Sequence, residues 1–160
     1  MTTDELLQIV QPGDALLYRG GGFISWVIRT KTWSPVSHIE VYIGDGKVVS
    51  ARANGSHIFD LTAHDLYEIW RPVTDTPIDV PAAMRWFHEL SEGQRYDLWG
   101  LLRFFTLGKQ STDKQFCSEL ATRWYRAGGF HPFCDQIDAD LVAPGTFRYS
   151  PHMTRVWAKG

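Results

Sequence analysis

The sequence has few of the features that assign a protein to a chemical class at sight. Its 160 residues include two cysteines, Cys117 and Cys134, and no C-x-x-C pair, so the sequence does not indicate a structural zinc site. Sixteen Lys and Arg oppose 18 Asp and Glu, which gives a net charge of −2. A nucleic-acid-binding domain needs a basic face, and we therefore expect no nucleic-acid partner.

Long apolar runs and targeting features are also missing. No stretch approaches the roughly 18 apolar residues of a membrane span. The first seven residues, MTTDELL, lack both the basic and the apolar regions of a signal peptide. We therefore expect a cytoplasmic protein without a membrane span. No two histidines have H-x-x-x-H spacing, and we predict neither a metal site nor a cofactor.

What the chain does have is an ordinary globular composition, with 44% hydrophobic residues and 21% charged residues. Its length suits one domain, residues 1–160, that buries a sizeable core. Strand patterns dominate residues 36–71, and helical patterns dominate residues 79–90, 97–105 and 117–127. Because strands and helices are largely segregated, we predict an α+β fold with about five antiparallel strands, and a further edge strand at residues 154–158.

One candidate for catalysis is Cys117, which opens an amphipathic helical pattern ending before Gly128 and Gly129. A thiol at a helix N-terminus lies among unpaired N–H groups at the positive end of the helix dipole. That environment favours the thiolate, which is the nucleophilic form of cysteine. The alternative is a small, inert, buried side chain, which is common for free cysteines.

A thiolate hydrolase also needs a base and a group that orients the base. Among the six histidines, His38 alone begins a predicted strand. Side chains alternate along a strand, so His38, Glu40 and Tyr42 share one face. Glu40 is therefore a candidate to hold His38 in one tautomer, with a plain surface carboxylate as the alternative.

The hairpin after this strand offers rival third members. A three-residue turn of Gly44, Asp45 and Gly46 places Ser50 opposite Glu40, and places Arg52 opposite His38. A two-residue turn places Ala51 and Ala53 there instead. A one-residue slip reverses the faces of a strand, and both registers stay open at this point.

An acyl-transfer intermediate also needs donors for its oxyanion. The backbone N–H of Cys117 would point toward the oxyanion from the helix start. Two side chains are further candidates: Tyr18, at the end of the first predicted strand, and Gln115, just before Cys117. Tyr18 has an alternative interpretation as an aromatic residue that ends a core strand.

The order of these motifs resembles a known superfamily. The segments PGDALLY at 12–18, SHIEVYIG at 37–44, Tyr96-Asp97, and FCSEL at 116–120 resemble the circularly permuted branch of the papain-like NlpC-type superfamily. That branch includes YaeF/YiiX-like bacterial proteins, related phage proteins and lecithin–retinol acyltransferase. In papain-like enzymes the Cys helix precedes the His strand, whereas here His38 precedes Cys117.

The resemblance implies a papain-like α+β fold, with a small antiparallel sheet or barrel packed on the cysteine helix. It also implies Cys117 as nucleophile and His38 as base, and Glu40 is the nearest match to the family's third polar residue. Relatives act as amidases or peptidases on cell-wall peptides, or as hydrolases and transferases on acyl lipids.

These implications lead to three hypotheses. The first is a cysteine hydrolase that cleaves an amide in a cell-wall peptide or a γ-glutamyl-type compound. A phage-encoded enzyme released by lysis would reconcile peptidoglycan cleavage with the missing signal peptide. The second is an acyl ester or lipid hydrolase or acyltransferase with the same Cys–His pair, whose groove could be lined by aromatics (Trp26, Trp33, Trp99, Phe104 and Phe105). The third is a binding module without activity.

Overall fold

A computed structural model describes residues 1–52, 54–93 and 117–160, and for residues 22–24 only the backbone. The helices are α1 Thr3–Leu7, α2 Gly22–Thr32, α3 Val80–Leu90 and α4 Cys117–Ala127. The strands are β1 Ala15–Tyr18, β2 His38–Gly44, β3 Lys47–Arg52, β4 Gly55–Asp60, β5 Leu66–Pro72 and β6 Met153–Ala158. Two short 3-10 helices, Ala139–Leu141 and Pro144–Tyr149, precede β6.

The strands form one antiparallel sheet of six strands in the order β4-β3-β2-β1-β5-β6. The predicted α+β class is confirmed, and the predicted edge strand near the end of the chain is β6, which brings the expected five strands to six. Of the two predicted forms, sheet or barrel, the structure has the open sheet, because β4 and β6 remain as its edges. Strand β1 lies inside the sheet and brings the start of β2 next to its own end.

The two faces of the sheet support separate hydrophobic clusters. Ile39 and Val41 of β2 pack with helix α4 in the larger cluster. Tyr42 belongs to the smaller cluster on the other side, together with Leu16 and Tyr18 of β1. This confirms the predicted alternation along β2, which places His38 and Glu40 on the Tyr42 side at one end of the strand.

Helix α4 buries one stripe of side chains in the larger cluster. Cys117, Leu120, Ala121 and Trp124 follow the i, i+3, i+4, i+7 spacing of one helix face, and all four are buried. On the neighbouring turn, the buried Tyr125 hydroxyl donates to the Gly13 carbonyl oxygen at 2.8 Å. Helix α4 is thereby fixed to the sheet, and Cys117 is held at the end of the helix nearest to β2 and β3.

The β2–β3 hairpin combines features of both predicted registers. Asp45 and Gly46 form a two-residue turn between Gly44 and Lys47, and both have the positive φ angles, 51° and 68°, of a primed turn. A bulge between Tyr42 and Gly44 then shifts the pairing by one residue. Beyond the bulge, Val41 pairs with Val49, and the same register continued along the strands sets Ser50 beside Glu40.

Several predictions concern parts of the chain outside the described residues. These are the helix at 97–105, Ala53, Gln115 and the proposed groove aromatics Trp99, Phe104 and Phe105. Within the described ranges, the search for a helix long and apolar enough to cross a bilayer finds none.

Candidate active site

The imidazole of His38 lies at the start of β2, where Tyr18 of β1 is its direct partner in the sheet. His38 Nε2 is 3.1 Å from Glu40 Oε1 and 3.0 Å from Ser50 Oγ. An ionised carboxylate only accepts hydrogen bonds, so Nε2 carries the proton in the contact with Glu40. This assignment leaves Nδ1 as the ring nitrogen available to a further partner.

The neighbour with the largest upward effect on the pKa of His38 is Cys117, through its charge and then through hydrogen bonding. Burial of the imidazole by itself lowers the pKa of His38, but Cys117 and then Glu40 act in the opposite direction. Together they raise the pKa of His38 from 6.5 to about 10. Cys117 is 3% exposed and His38 is 24% exposed, so the charged form of His38 is stabilised mainly by protein groups.

Glu40 is a buried carboxylate, 2% exposed, with an uneven set of partners. Its Oε1 accepts hydrogen bonds from Arg52 Nε at 2.9 Å and Arg52 Nη2 at 2.7 Å, besides the contact with His38. Burial raises the pKa of Glu40, whereas His38 and Arg52 lower it, and the net pKa lies below the ordinary 4.5. Glu40 is therefore a permanently ionised neighbour of His38 at neutral pH.

Tyr18 faces the same region but has a hydrogen-bond partner of its own. Its hydroxyl donates to the Thr62 carbonyl oxygen at 3.0 Å, and its ring centroid lies 6.2 Å from that of His38. Burial, followed by the charge of Glu40, raises the pKa of Tyr18 well above its usual value. The phenol is therefore neutral, but its one proton is donated to Thr62, so a role at an oxyanion requires a change of partner and stays a prediction.

A cleft of about 420 Å³ opens beside His38, and Cys117 is not among the described residues that line it. The wall is formed in part by Tyr18, His38, Glu40 and Arg52, and by Gly20 and Ser37 from the two loops that flank α2. The two tryptophans predicted to line a groove, Trp26 and Trp33, are not among the lining residues, and Trp33 is 94% exposed.

Most of the predicted site residues come together. Cys117, His38, Glu40 and Ser50 form one connected group, Tyr18 lies beside it, and Gln115 lies outside the described residues. Both rivals for the third position, Glu40 and Ser50, contact the same ring nitrogen. Sequence reasoning placed Arg52 opposite His38 in one register, but it did not find that Arg52 binds Glu40; opposite charges on diagonal positions of a hairpin were the available signal.

A comparison of the fold with solved structures finds the crystal structure of metalloprotein YiiX from Escherichia coli O157:H7. The match has a TM-score of 0.69, covers 94% of this chain and 98% of that chain, and has 16% sequence identity. The chain has a YiiX-like fold. At this identity, the similarity to YiiX concerns the fold alone. No protein-family model and no curated protein sequence matches the chain.

The word metalloprotein describes that YiiX protein, and we asked whether the residues of this site suit a metal ion. The described part of the chain contains no group of three or more His, Cys, Asp or Glu side chains that could hold one. At the site, Glu40 Oε1 and His38 Nε2 are hydrogen-bonded to each other, and Arg52 adds a positive charge at the same oxygen. This donor set does not fit a metal ion.

Proposed function

We propose that the chain is a cysteine hydrolase that cleaves an amide bond through an acyl-thioester on Cys117, with His38 as general base and Glu40 as its orienting carboxylate. The observation that carries the proposal is the bond from His38 Nε2 to the buried Glu40, and the effect of Cys117 on the pKa of His38 supports it. A cysteine that served only as core packing would need neither a charged neighbour nor an oriented imidazole.

In the proposed reaction, the proton of the Cys117 thiol already lies on His38 Nδ1 in the resting site, and Sγ attacks the carbonyl carbon of the amide. The backbone N–H at the start of α4 donates to the oxyanion, with Tyr18 as an additional candidate. Collapse breaks the C–N bond, and the His38 proton passes to the leaving amine. Water, deprotonated by His38, then cleaves the thioester and releases a carboxylic acid and the thiol.

The proposed substrate is a cell-wall peptide or a related γ-glutamyl-type amide. The alternative is an acyl ester or lipid on which the same Cys–His pair acts. The described part of the cleft does not favour the lipid, because neither Trp26 nor Trp33 lines it. The two substrate classes therefore become separate arms of one assay, in which purified muropeptides and γ-glutamyl amides are compared with short-chain acyl esters and phospholipid vesicles.

The reactivity of the thiol tests the proposal before any substrate is known. Cys134 is free and exposed, so it is an internal reference in the same molecule. We expect iodoacetamide at about pH 6, well below the ordinary thiol pKa of about 8.5, to label Cys117 faster than Cys134 despite its burial. Peptide mapping by mass spectrometry reads both sites, and His38→Ala should remove the preference for Cys117.

Three outcomes decide between the hypotheses. Fast labelling that depends on His38, followed by a mass adduct on Cys117 with an amide substrate, supports the hydrolase. An adduct only with esters or vesicles supports the acyl-lipid alternative. A Cys117 that is inert in wild type and in His38→Ala contradicts both, and leaves the binding module.

A further inference from the structure

The Glu40 side chain makes all its described hydrogen bonds through one oxygen. Three donor atoms converge on Oε1, namely His38 Nε2 and the Nε and Nη2 atoms of Arg52. The other oxygen, Oε2, is buried and has no hydrogen-bond partner among the described residues. A guanidinium usually pairs with a carboxylate through two parallel bonds to both oxygens. Here both Arg52 donors bind Oε1, the oxygen that also contacts His38 Nε2.

Arg52 is itself held in place from the far side. Its guanidinium carbon lies 3.9 Å from the ring centroid of Phe59, which is a cation–π contact with the neighbouring strand β4. Arg52 ends β3, and Phe59 lies on β4, which pairs with β3 along its length. The contact with the Phe59 ring restrains the Arg52 guanidinium. The guanidinium in turn restrains Oε1 of Glu40, the oxygen to which it donates.

We propose that Arg52 is a positioning residue of this site, which holds the ionised Glu40 side chain in the orientation where Oε1 meets His38 Nε2. The inference deepens the proposed function, because a fixed carboxylate selects the tautomer in which Nδ1 faces Cys117. Along the row His38, Glu40 and Arg52 the charge alternates between positive and negative.

Burial explains why Glu40 requires a cation. A carboxylate that is 2% exposed takes up a proton more easily than one in water. A protonated Glu40 no longer attracts a charged imidazole. The groups that face Glu40 are Tyr18 from β1, His38 from β2, Arg52 from β3 and, through His38, Cys117 from α4. His64 and Asp65 also line the cleft. Arg52 is positively charged at every pH, and His38 is also charged over the acidic range in which Glu40 takes up a proton.

The test is a pH titration of the Glu40 carboxyl-carbon NMR signal in wild type, Arg52→Met, Arg52→Gln and Arg52→Lys. In the two neutral variants we expect the midpoint to rise by about one pH unit or more, because a nearby opposite charge lowers a carboxyl pKa by about 1–3 units. Arg52→Gln keeps a polar side chain, and serves if Arg52→Met does not fold. Arg52→Lys should restore the midpoint but not the planar two-donor contact.

A matched control comes from the same strand. Lys47 begins β3 and pairs with Asp60 at 2.6 Å, but both of these side chains are largely exposed. Lys47→Met removes one positive charge from β3 without touching Glu40, and the Glu40 midpoint should not move. The second readout is the Nε2 proton signal of His38, which we expect to broaden or shift in all three Arg52 variants and to stay in Lys47→Met.

The inference is overturned if the Glu40 midpoint and the His38 Nε2 signal in Arg52→Met or Arg52→Gln match wild type, or if Lys47→Met changes them equally. Neither readout requires turnover, so failure of the proposed function is seen separately. An inert Cys117 with a shifted Glu40 midpoint would contradict the hydrolase but support the role of Arg52. A reactive Cys117 with an unchanged Glu40 midpoint would support the hydrolase but contradict the role of Arg52.

Discussion

The smallest change that tests the site is the removal of one charge at Glu40. Glu40→Gln keeps the shape and hydrogen-bonding ability of the side chain but loses the negative charge next to His38 Nε2. We expect the pKa of His38 to fall below about 10, because Glu40 raises it both through its hydrogen bond and through its charge. Titration of the imidazole signals by NMR measures this change, and catalytic efficiency should fall by roughly 10²-fold or more.

Two further variants rank the contributions of Cys117 and Ser50 to the pKa of His38. Cys117→Ser should lower the pKa of His38 more than Glu40→Gln does, because Cys117 makes the larger of the two contributions that raise it. Ser50→Ala should lower it least, since it removes a neutral hydroxyl from Nε2 and leaves the carboxylate. A His38 that titrates in Glu40→Gln as it does in wild type would contradict an orienting role for Glu40.

Among the secondary-structure elements, strand β5 is tied to the end of the chain by a second buried carboxylate, distant from the site. Glu68 accepts hydrogen bonds from Arg148 at 2.9 and 3.0 Å and from Trp70 Nε1 at 2.8 Å, and Arg155 of β6 lies 3.5 Å away. Burial raises the pKa of Glu68, but the arginines and Trp70 lower it, and the net value is below 4.5. The 3-10 helix Pro144–Tyr149 and strands β5 and β6 are thereby joined.

This arrangement predicts acid sensitivity. Because the pKa of Glu68 is lower in the folded state, its stabilising contribution is complete above the ordinary pKa of 4.5 and is lost as the pH falls through the folded value. Urea unfolding at about pH 7 and about pH 3 should therefore show a larger loss of stability in wild type than in Glu68→Gln. Equal losses in the two proteins would contradict this role of Glu68.

Packing between helices α3 and α4 leaves no room at Gly128. A Cβ there would lie 2.7 Å from Ile78 Cγ2 and 3.3 Å from the Asp79 carbonyl oxygen. We expect Gly128→Ala to reduce the free energy of unfolding by about 1–3 kcal/mol, as other overpacked sites do. Gly160→Ala is the control, since nothing lies within 4 Å of its Cβ position, and it should change the free energy of unfolding by less than about 0.5 kcal/mol.

Sequence reasoning succeeded where a single periodicity decides the outcome. The alternation of Ile39 and Val41 with His38 and Glu40 predicted which residues share a face, and the amphipathic pattern predicted the helix at Cys117–Ala127. Sequence reasoning did not decide between the two registers of the β2–β3 hairpin. A bulge shifts the strand register away from the one that the turn length alone implies. The Asp45–Gly46 turn has two residues, yet Ser50 still lies beside Glu40. The contact between Glu40 and Arg52 depends on that bulge.

At the level of the whole molecule, the sheet joins distant parts of the sequence, and β6 shows this best. Residues 153–158 pair with β5, which pairs with β1, and the buried Met153 belongs to the same cluster as Cys117. Removing residues 153–160 should therefore take away an edge strand, a core side chain and the Arg155 contact with Glu68 together. We expect the free energy of unfolding to fall by at least about 2 kcal/mol, the lower end for the loss of a buried Met side chain.

The labelling of Cys117 in the same deletion variant tests whether the site and the far edge of the sheet unfold as one cooperative unit. Removal of residues 159–160 alone is the control, because it spares every residue of β6 and removes, among the described hydrogen bonds, only the one from Lys159 N–H to the Tyr67 carbonyl oxygen of β5. If the sheet unfolds as one unit, the longer deletion should also weaken labelling of Cys117, since β5 and β1 lie between β6 and β2. A destabilised protein whose Cys117 still reacts at the wild-type rate would show instead that the half of the sheet carrying His38 and Glu40 keeps its structure without β6.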